Sequence, residues 1–396
     1  MTTTGGERFL STGDEAGTAP NDRKYRPDVE GMRAVAILLV LFLHFAIPGF
    51  SGGGIGVDVF FVISGFVITG LLLRERDSTG RTSLLNFYAR RGRRIIPLAT
   101  LVIVVTLICD RLAVGQAATA AVVGPARWVV FFAFNFDYSA IQSEVFRPSP
   151  FASFWSLAVE EQFYLVYPAL IIAVGVLGRP WSWRLKINVV LVAAVAASYG
   201  WSVVSSGVFA LIPYDSPFTR AWELAIGCLI AVNTPSLRWI PKWVAGAMSW
   251  VGLVLVGVAA HTFTLSTVYP GWVAILPVAG TAFVIIGGIM APVWGAERLL
   301  GTRPMRAVGR WSYGLYLWEI PVFLLATHWW GPMARISVVG RVGLILVTVV
   351  IAAASFAIYE TPIRHSPRLV ASPGLSVACS LVFIIGSLVT ISLVAR

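Results

Sequence analysis

Apolar runs of about 20 residues recur along most of this chain, and each could cross the roughly 30 Å hydrocarbon core of a bilayer as a helix. Charged residues make up only 12% of the 396 residues, whereas soluble domains carry roughly 25%. These features predict an all-α integral membrane protein that crosses the lipid bilayer many times. Eleven spans are predicted, at residues 32–48, 54–73, 95–114, 154–177, 187–207, 219–234, 243–260, 271–290, 311–328, 337–358 and 374–394.

The distribution of Lys and Arg predicts which ends of the spans face the cytoplasm. Cytoplasmic loops carry an excess of these residues, and seven arginines lie between residues 74 and 94. An N-terminus inside the cell places most of the positive charges inside. Segment 117–137 is apolar but contains Arg127, and counting it as a span would reverse every later loop. It is therefore predicted to be a re-entrant or interfacial helix in a multi-pass protein of the cytoplasmic membrane.

Three further features narrow the class of protein. Residues 1–28 lack the apolar core of a signal peptide and are predicted to be a disordered cytoplasmic tail. The net charge of +11 does not indicate nucleic acid, because the basic residues lie in short loops and no nucleic-acid motif accompanies them. Cys109, Cys228 and Cys379 are far apart, which argues against a disulfide framework and against a metal site.

Ionisable residues inside the predicted spans are candidates for function, because each costs about 2.5–3.5 kcal/mol to insert at mid-membrane. Arg33 and His44 lie eleven residues apart, so they share one helix face and stand ~16 Å apart along the axis. A neutral His can accept a hydroxyl proton near neutral pH, or it can simply hydrogen-bond a neighbouring helix. Asp58, one short loop later, can either orient His44 or begin a helix after the preceding glycines.

A second group of polar residues opens the span at 154–177. Ser156, Glu160 and Tyr164 fall on one helix face, and Glu161 points about 100° away from it. We expect Glu160 to face the interior and Glu161 to pair with a neighbouring helix. The alternative is that both carboxylates are structural ion-pair partners, for example of Arg127 or Arg220.

Two later spans also carry ionisable residues. Arg220 and Glu223 are three residues apart on a predicted helix and are expected to pair with each other. Tyr316 and Glu319 share one face of the span at 311–328. A lone carboxylate in the membrane needs a partner, and His44 or an arginine could supply it.

A cluster of arginines precedes the span at 95–114. Guanidinium groups bind phosphates in a bidentate manner, and coenzyme A carries phosphates that such a cluster could hold. The same cluster could instead determine topology by binding anionic lipid headgroups. The residues concerned are Arg90, Arg91, Arg93 and Arg94.

Taken together, these motifs resemble the acyltransferase-3 family of bacterial membrane O-acyltransferases, and the similarity runs from about Arg26 to Arg364. Each motif is short, but all of them occur in the family's order. The matching elements are Arg33 with His44, residues 56–66, Arg91 and Arg94 before Ile95 and Pro97, residues 155–164, residues 220–224, and Glu360 with Pro362 and Arg364.

The resemblance implies a ten-helix acyltransferase core within residues 29–365, and residues 366–396 would add one C-terminal transmembrane helix to it. It also implies a catalytic His44 and acyl-CoA as a cytoplasmic co-substrate, with no permanently bound cofactor. Many members have His where this chain has Glu319, so no catalytic role carries over to that position. We expect no extracytoplasmic domain after the core to which the acyl group could be relayed.

In this interpretation His44 deprotonates a hydroxyl of a sugar-containing acceptor, a macrolide or a glycan, and the hydroxyl attacks the thioester of a short acyl-CoA. Asp58 or Glu160 would orient His44, and Arg33 with the arginines at 90–94 would hold the CoA phosphates. The resemblance favours the macrolide acyltransferases of antibiotic-producing bacteria within the family. The alternative class is a transporter or flippase for a glycoconjugate, in which the same buried charges line a permeation path. No inverted repeat, which would favour that class, is visible in the sequence.

Overall fold

The computed structural model describes residues 26–137, 149–176, 182–208, 214–264, 266–290 and 294–396, so all but the last residues of the predicted tail at 1–28 lie outside it. Within these ranges the chain is helical and contains no strand, which confirms the all-α prediction. Within these ranges, twelve helices have fifteen or more residues. They are α1 (Pro27–His44), α2 (Gly56–Thr79), α3 (Leu84–Ala113), α4 (Gln116–Val130), α5 (Phe154–Val176), α6 (Trp183–Val208), α7 (Pro217–Val232), α8 (Lys242–Thr262), α9 (Ile275–Ile289), α10 (Arg303–Trp330), α11 (Val338–Ser355) and α12 (Pro373–Val394).

Each of the eleven predicted spans overlaps one of these helices. In the described part of the chain, eight helices are long and apolar enough to cross a membrane, which makes this a multi-pass membrane protein. The three remaining helices at predicted spans are α1, α7 and α10, which are shorter or more polar. They carry several of the ionisable side chains discussed below, among them His44, Arg220 and Glu319, and their crossing of the bilayer stays a prediction.

Turn chemistry fixes the short connection between α2 and α3. Gly80 ends α2 in the left-handed conformation, with a φ of 72° that glycine adopts without strain. Ser83 then caps α3, because its side chain accepts a hydrogen bond from the backbone N–H of Asn86. The arginine-rich first turns of α3 are thereby placed directly after the end of α2.

Side-chain contacts show the relative directions of the helices. Ser64 of α2 contacts Glu160 of α5, and one to two turns further along both helices Thr69 contacts Tyr167. The residue numbers increase along both helices from the first pair to the second, so α2 and α5 run parallel. With α3 crossing between them in the opposite direction, α4 cannot cross as well. These helix directions support the prediction that segment 117–137 is a re-entrant or interfacial helix, which stays a prediction.

Glycine allows α2 and α7 to approach closely. A Cβ atom at Gly65 would lie 1.9 Å from the carbonyl oxygen of Leu224, and one at Gly227 would lie 2.0 Å from that of Val62. Small residues of this kind are the usual means of close helix packing in membranes. The same parallel crossing brings Asp58 and Arg220, seven residues before the two glycines, into contact at one level.

The C-terminal helix α12 packs along α3. Ser380 lies against Gly92, and Ser387 donates a hydrogen bond to Thr100 at 3.3 Å, so the two helices also run parallel. A serine stripe on α12 thus faces the helix that carries the arginine cluster.

Candidate active site

Five helices line a partly open cavity among the described residues. Helices α1, α2, α3, α5 and α10 supply its walls, and it holds both apolar and ionisable side chains. It is lined by Arg33, Phe60, Phe61, Ile63, Ser64, Val67, Arg91, Arg94, Ile95, Ser156, Leu157, Glu160, Tyr164, Ser312, Tyr313 and Tyr316.

Arginine side chains dominate one end of this cavity, which we call the arginine end. Arg33 donates from Nε and Nη2 to the Ser312 hydroxyl, at 3.2 Å and 2.9 Å. The Arg91 guanidinium lies 4.2 Å from the ring centre of Tyr164, in the geometry of a cation–π contact. Arg94 completes the group of three cations. This end of the cavity is suited to a ligand with several negative charges.

One carboxylate, Glu160, lines the cavity beside these cations. It accepts hydrogen bonds from the Ser64 hydroxyl and the Tyr164 hydroxyl. The expectation that Glu160 faces the interior is confirmed. Glu161 does not line the cavity, and its Oε1 makes no hydrogen bond within the part of the chain described.

The predicted cluster of four arginines on α3 is split by the structure, which corrects the prediction for two of them. Arg90 donates to Glu75 at 2.8 Å, and Arg93 donates to the Leu369 carbonyl oxygen at 2.9 Å and the Ser376 hydroxyl at 2.8 Å. Successive residues of a helix turn by about 100°, so four arginines in five positions cannot all face one cavity.

A pair of hydroxyls closes the opposite end of the cavity, which we call the tyrosine end. The Tyr316 hydroxyl lies 2.5 Å from Ser156 Oγ, and both side chains are buried. Phe60 packs edge-on against the Tyr316 ring, with 6.3 Å between ring centres. Tyr316 lies four residues after Ser312, so the tyrosine end is ~6 Å from the Arg33–Ser312 level along α10.

His44 and Glu319 lie beyond the tyrosine end. His44 Nδ1 is 3.3 Å from Glu319 Oε1, and the Glu319 side chain is 0% exposed whereas that of His44 is 33% exposed. The expectation that His44 or an arginine partners Glu319 is confirmed. The expectation that Asp58 or Glu160 orients His44 is corrected, because the parallel packing of α1 and α10 brings Glu319 to the imidazole and the other two carboxylates have different partners.

Asp58 belongs to a separate buried cluster around Arg220. Arg220 Nη1 lies 3.2 Å from Asp58 Oδ1 and 3.0 Å from Glu223 Oε1, so the predicted pairing of Arg220 with Glu223 is confirmed. Tyr269 donates to Asp58 at 2.5 Å, and Arg220 donates to the Tyr214 carbonyl oxygen at 3.0 Å. Burial raises the pKa of the Tyr214 phenol to about 12 and keeps it neutral. The cluster joins α2, α7 and two loops outside the cavity.

From the sequence, no role is assigned to Ser64, which lies in the 56–66 motif, and neither Tyr214 nor Tyr269 is singled out. The two tyrosines lie in loops with no periodic signal, and Ser64 is one hydroxyl in an apolar helix. Within the described ranges, no group of three or more His, Cys, Asp or Glu residues could hold a metal ion. The polar groups that line the cavity are guanidinium, carboxylate and hydroxyl groups.

Comparison with known proteins identifies relatives over most of the chain. The profile of a family described as an acyltransferase domain matches residues 26–360. The peptidoglycan O-acetyltransferase OatA of Listeria monocytogenes is 30% identical over 372 residues, which are 88% of this chain and 57% of that protein. The putative peptidoglycan O-acetyltransferase YrhL of Bacillus subtilis is 31% identical over 358 residues, 86% of this chain and 55% of that protein.

The O-acetyltransferase OatA of Staphylococcus aureus is 29% identical over 365 residues, 86% of this chain and 57% of that protein. The chain thus spans somewhat more than half the length of these curated relatives. No solved structure shows significant similarity to it.

Proposed function

We propose that this chain, which belongs to the acyltransferase-3 family of membrane O-acyltransferases, transfers a short acyl group from acyl-CoA to a hydroxyl of a sugar-containing acceptor. One observation carries the proposal. A cavity with three arginines at one end reaches, at its other end, a tyrosine that stands one helical turn from the Glu319–His44 pair.

The donor would occupy the arginine end. Arg33, Arg91 and Arg94 would bind the phosphates of coenzyme A, because guanidinium groups form strong charge-assisted hydrogen bonds with phosphate. The pantetheine arm would extend past the apolar side chains of Phe61 and Leu157 toward the tyrosine end. Surrounding helices would exclude water and limit hydrolysis of the thioester. No permanently bound cofactor enters this scheme, since acyl-CoA is consumed as a co-substrate.

His44 would act as the general base. Its imidazole takes the proton of the acceptor hydroxyl while that oxygen bonds to the thioester carbonyl carbon. The C–S bond then breaks, and the proton passes to the departing CoA sulfur. Glu319, 3.3 Å from Nδ1, stabilises the imidazolium that forms between these steps. Such general-base assistance contributes roughly 10²–10⁴-fold to a rate.

The acceptor is proposed to be a sugar of a cell-surface glycan. Two of the relatives are named as peptidoglycan O-acetyltransferases, one of them putatively, which supports a glycan and an acetyl group. A macrolide sugar presents the same kind of hydroxyl and is the alternative acceptor. Comparison of glycans and metabolites from wild-type and deletion strains would separate the two, since only the true acceptor loses its acyl esters.

The proposed function is tested with purified protein in detergent. Radiolabelled acetyl-CoA is expected to bind in the cavity and to pass its acetyl group to an oligomer of β-linked N-acetylglucosamine or to a macrolide. A transporter or flippase would move such a glycoconjugate without binding acetyl-CoA. Absence of specific acetyl-CoA binding would therefore refute the proposed acyltransferase function and favour the transporter or flippase.

We predict that the arginine end faces the cytoplasm. Ser78, next to the arginine-rich loop, and Ser51, at the other end of α2, are both exposed and can each be replaced by cysteine. The positive-inside rule predicts that an impermeant thiol reagent labels Ser51→Cys but not Ser78→Cys in intact cells. Both positions should react in opened membranes, which controls for accessibility. Labelling of Ser78→Cys from outside the cell would show that the arginine end faces the exterior and would contradict the prediction.

We also predict that Arg91→Ala and Arg94→Ala each weaken acetyl-CoA binding by about 10-fold to 100-fold, because a hydrogen bond to a charged group contributes about 1.5–3 kcal/mol. Arg90→Ala is the matched control, since Arg90 lies one position away and binds Glu75 instead. Binding is measured by scintillation proximity on purified protein. Equal affinities in all three variants would show that the cluster determines topology only.

A further inference from the structure

The tyrosine end of the cavity stands between the proposed donor site and His44. Tyr316 and Ser156 line the cavity, whereas Glu319, three residues after Tyr316, contacts His44 and does not line it. Three residues of helix correspond to a rise of about 4.5 Å. An acyl group that enters from the arginine end therefore meets the Tyr316–Ser156 pair before it can reach the imidazole.

This barrier has a fixed geometry. The hydroxyl contact of 2.5 Å joins α5 to α10 and holds the Tyr316 ring in one position. Phe60 braces the ring edge-on, and Phe61 in turn packs edge-on against Trp155, with 6.3 Å between the ring centres of each pair. Buried, close-packed rings accommodate an added methylene group poorly.

We propose that the Tyr316–Ser156 pair is a size-selective gate that admits only short acyl groups to His44. The proposal rests on the proposed function and deepens it by naming the property of the donor that the site selects. Discrimination would arise at passage of the gate and not at the arginine end, because the phosphates that the arginines bind are the same in every acyl-CoA. Tight apolar sites discriminate by about 10-fold to 200-fold per methylene.

The proposed gate depends on the hydrogen bond between the Tyr316 and Ser156 hydroxyls. Tyr316→Phe and Ser156→Ala remove the same contact from opposite sides, so each frees the ring to turn aside. Both should therefore relax selectivity to a similar extent. The double variant should match the single ones, since residues that act through one shared bond are not additive. Ser156→Thr keeps the hydroxyl but adds a methyl group, and it should narrow the gate.

The experiment measures single-turnover transfer from acetyl-, butyryl- and hexanoyl-CoA to an N-acetylglucosamine oligomer by the purified full-length protein. The readout is the hexanoyl-to-acetyl rate ratio, which is independent of how much protein is active. We expect this ratio to rise at least ~10-fold in Tyr316→Phe and Ser156→Ala, and the butyryl-to-acetyl ratio to fall in Ser156→Thr. Binding of the three donors should stay nearly equal throughout.

Tyr167→Phe is the matched control. It also removes a buried phenol hydroxyl, which accepts from Thr69 at 2.9 Å, and it lies on α5 with Ser156 but outside the cavity. Its rate ratio should equal that of the wild type. If the wild type transfers acetyl groups but the rate ratios are unchanged in all the Tyr316 and Ser156 variants, the gate proposal is wrong and the proposed function stands. A wild-type protein that transfers no acyl group from any donor would overturn the proposed function, and the gate with it.

Discussion

His44→Ala is expected to reduce acyl transfer by at least ~10² without reducing acetyl-CoA binding, because a general base contributes roughly 10²–10⁴-fold. The donor site is spared because His44 lies beyond the tyrosine end and does not line the cavity. The measurement is single-turnover transfer by detergent-purified, monodisperse protein, together with its acetyl-CoA affinity.

A matched control separates catalysis from packing. His365→Ala removes an imidazole that contacts the Thr361 carbonyl oxygen at 3.1 Å in an exposed position, and it should leave both transfer and affinity unchanged. A merely structural His44 would behave differently, since its loss would lower the yield and the unfolding temperature but leave turnover in the surviving protein. Turnover by His44→Ala within tenfold of the wild type would rule out the general-base role.

Arg220→Ala is expected to destabilise the folded protein by about 3–5 kcal/mol, the usual cost of removing one partner from a buried ion pair. Arg220 is 0% exposed and lies between Asp58 and Glu223, which are also 0% exposed. Its loss leaves two buried carboxylates with no cation between them. The midpoint of thermal unfolding in detergent should fall strongly, and the yield of monodisperse protein with it.

Two further variants, compared with Arg220→Ala, test this expectation. Arg90→Ala removes an exposed ion pair with Glu75 and should cost no more than about 1 kcal/mol. Replacing the whole cluster, as Asp58→Asn, Arg220→Met and Glu223→Gln together, should recover much of the stability lost by Arg220→Ala, because no uncompensated charge is left. An unfolding midpoint of Arg220→Ala equal to that of the wild type would contradict the structural role.

The fold could be predicted from the sequence because each span carries its own signal. A helix in lipid satisfies its backbone hydrogen bonds internally, so length and hydropathy locate it without knowledge of its neighbours. Segment 117–137 needed an additional argument from charge, and the parallel directions of α2 and α5 support that argument. What the sequence could not give is which helices are neighbours, for example that α12 lies along α3.

The site was predicted less completely, for the same reason. Helical spacing correctly placed Glu160 on the interior face and paired Arg220 with Glu223, since both are local relations. Asp58 is a candidate for orienting His44 because one short loop separates the two residues, and Glu160 is one because its helix face is predicted to point inward. Glu319 lies 275 positions away, and only the packing of α1 against α10 brings it to 3.3 Å.

The central claim is that an acyl group passes from CoA at the arginine end to an acceptor beside His44, across the membrane. The most direct test uses proteoliposomes with the acceptor oligomer trapped inside and radiolabelled acetyl-CoA, which is charged and impermeant, added outside. Our account predicts acetylated oligomer in the lumen of vesicles that carry the wild-type protein and none in vesicles that carry His44→Ala. Trapped oligomer that stays unlabelled, while oligomer added on the side of the donor is acetylated, would contradict it.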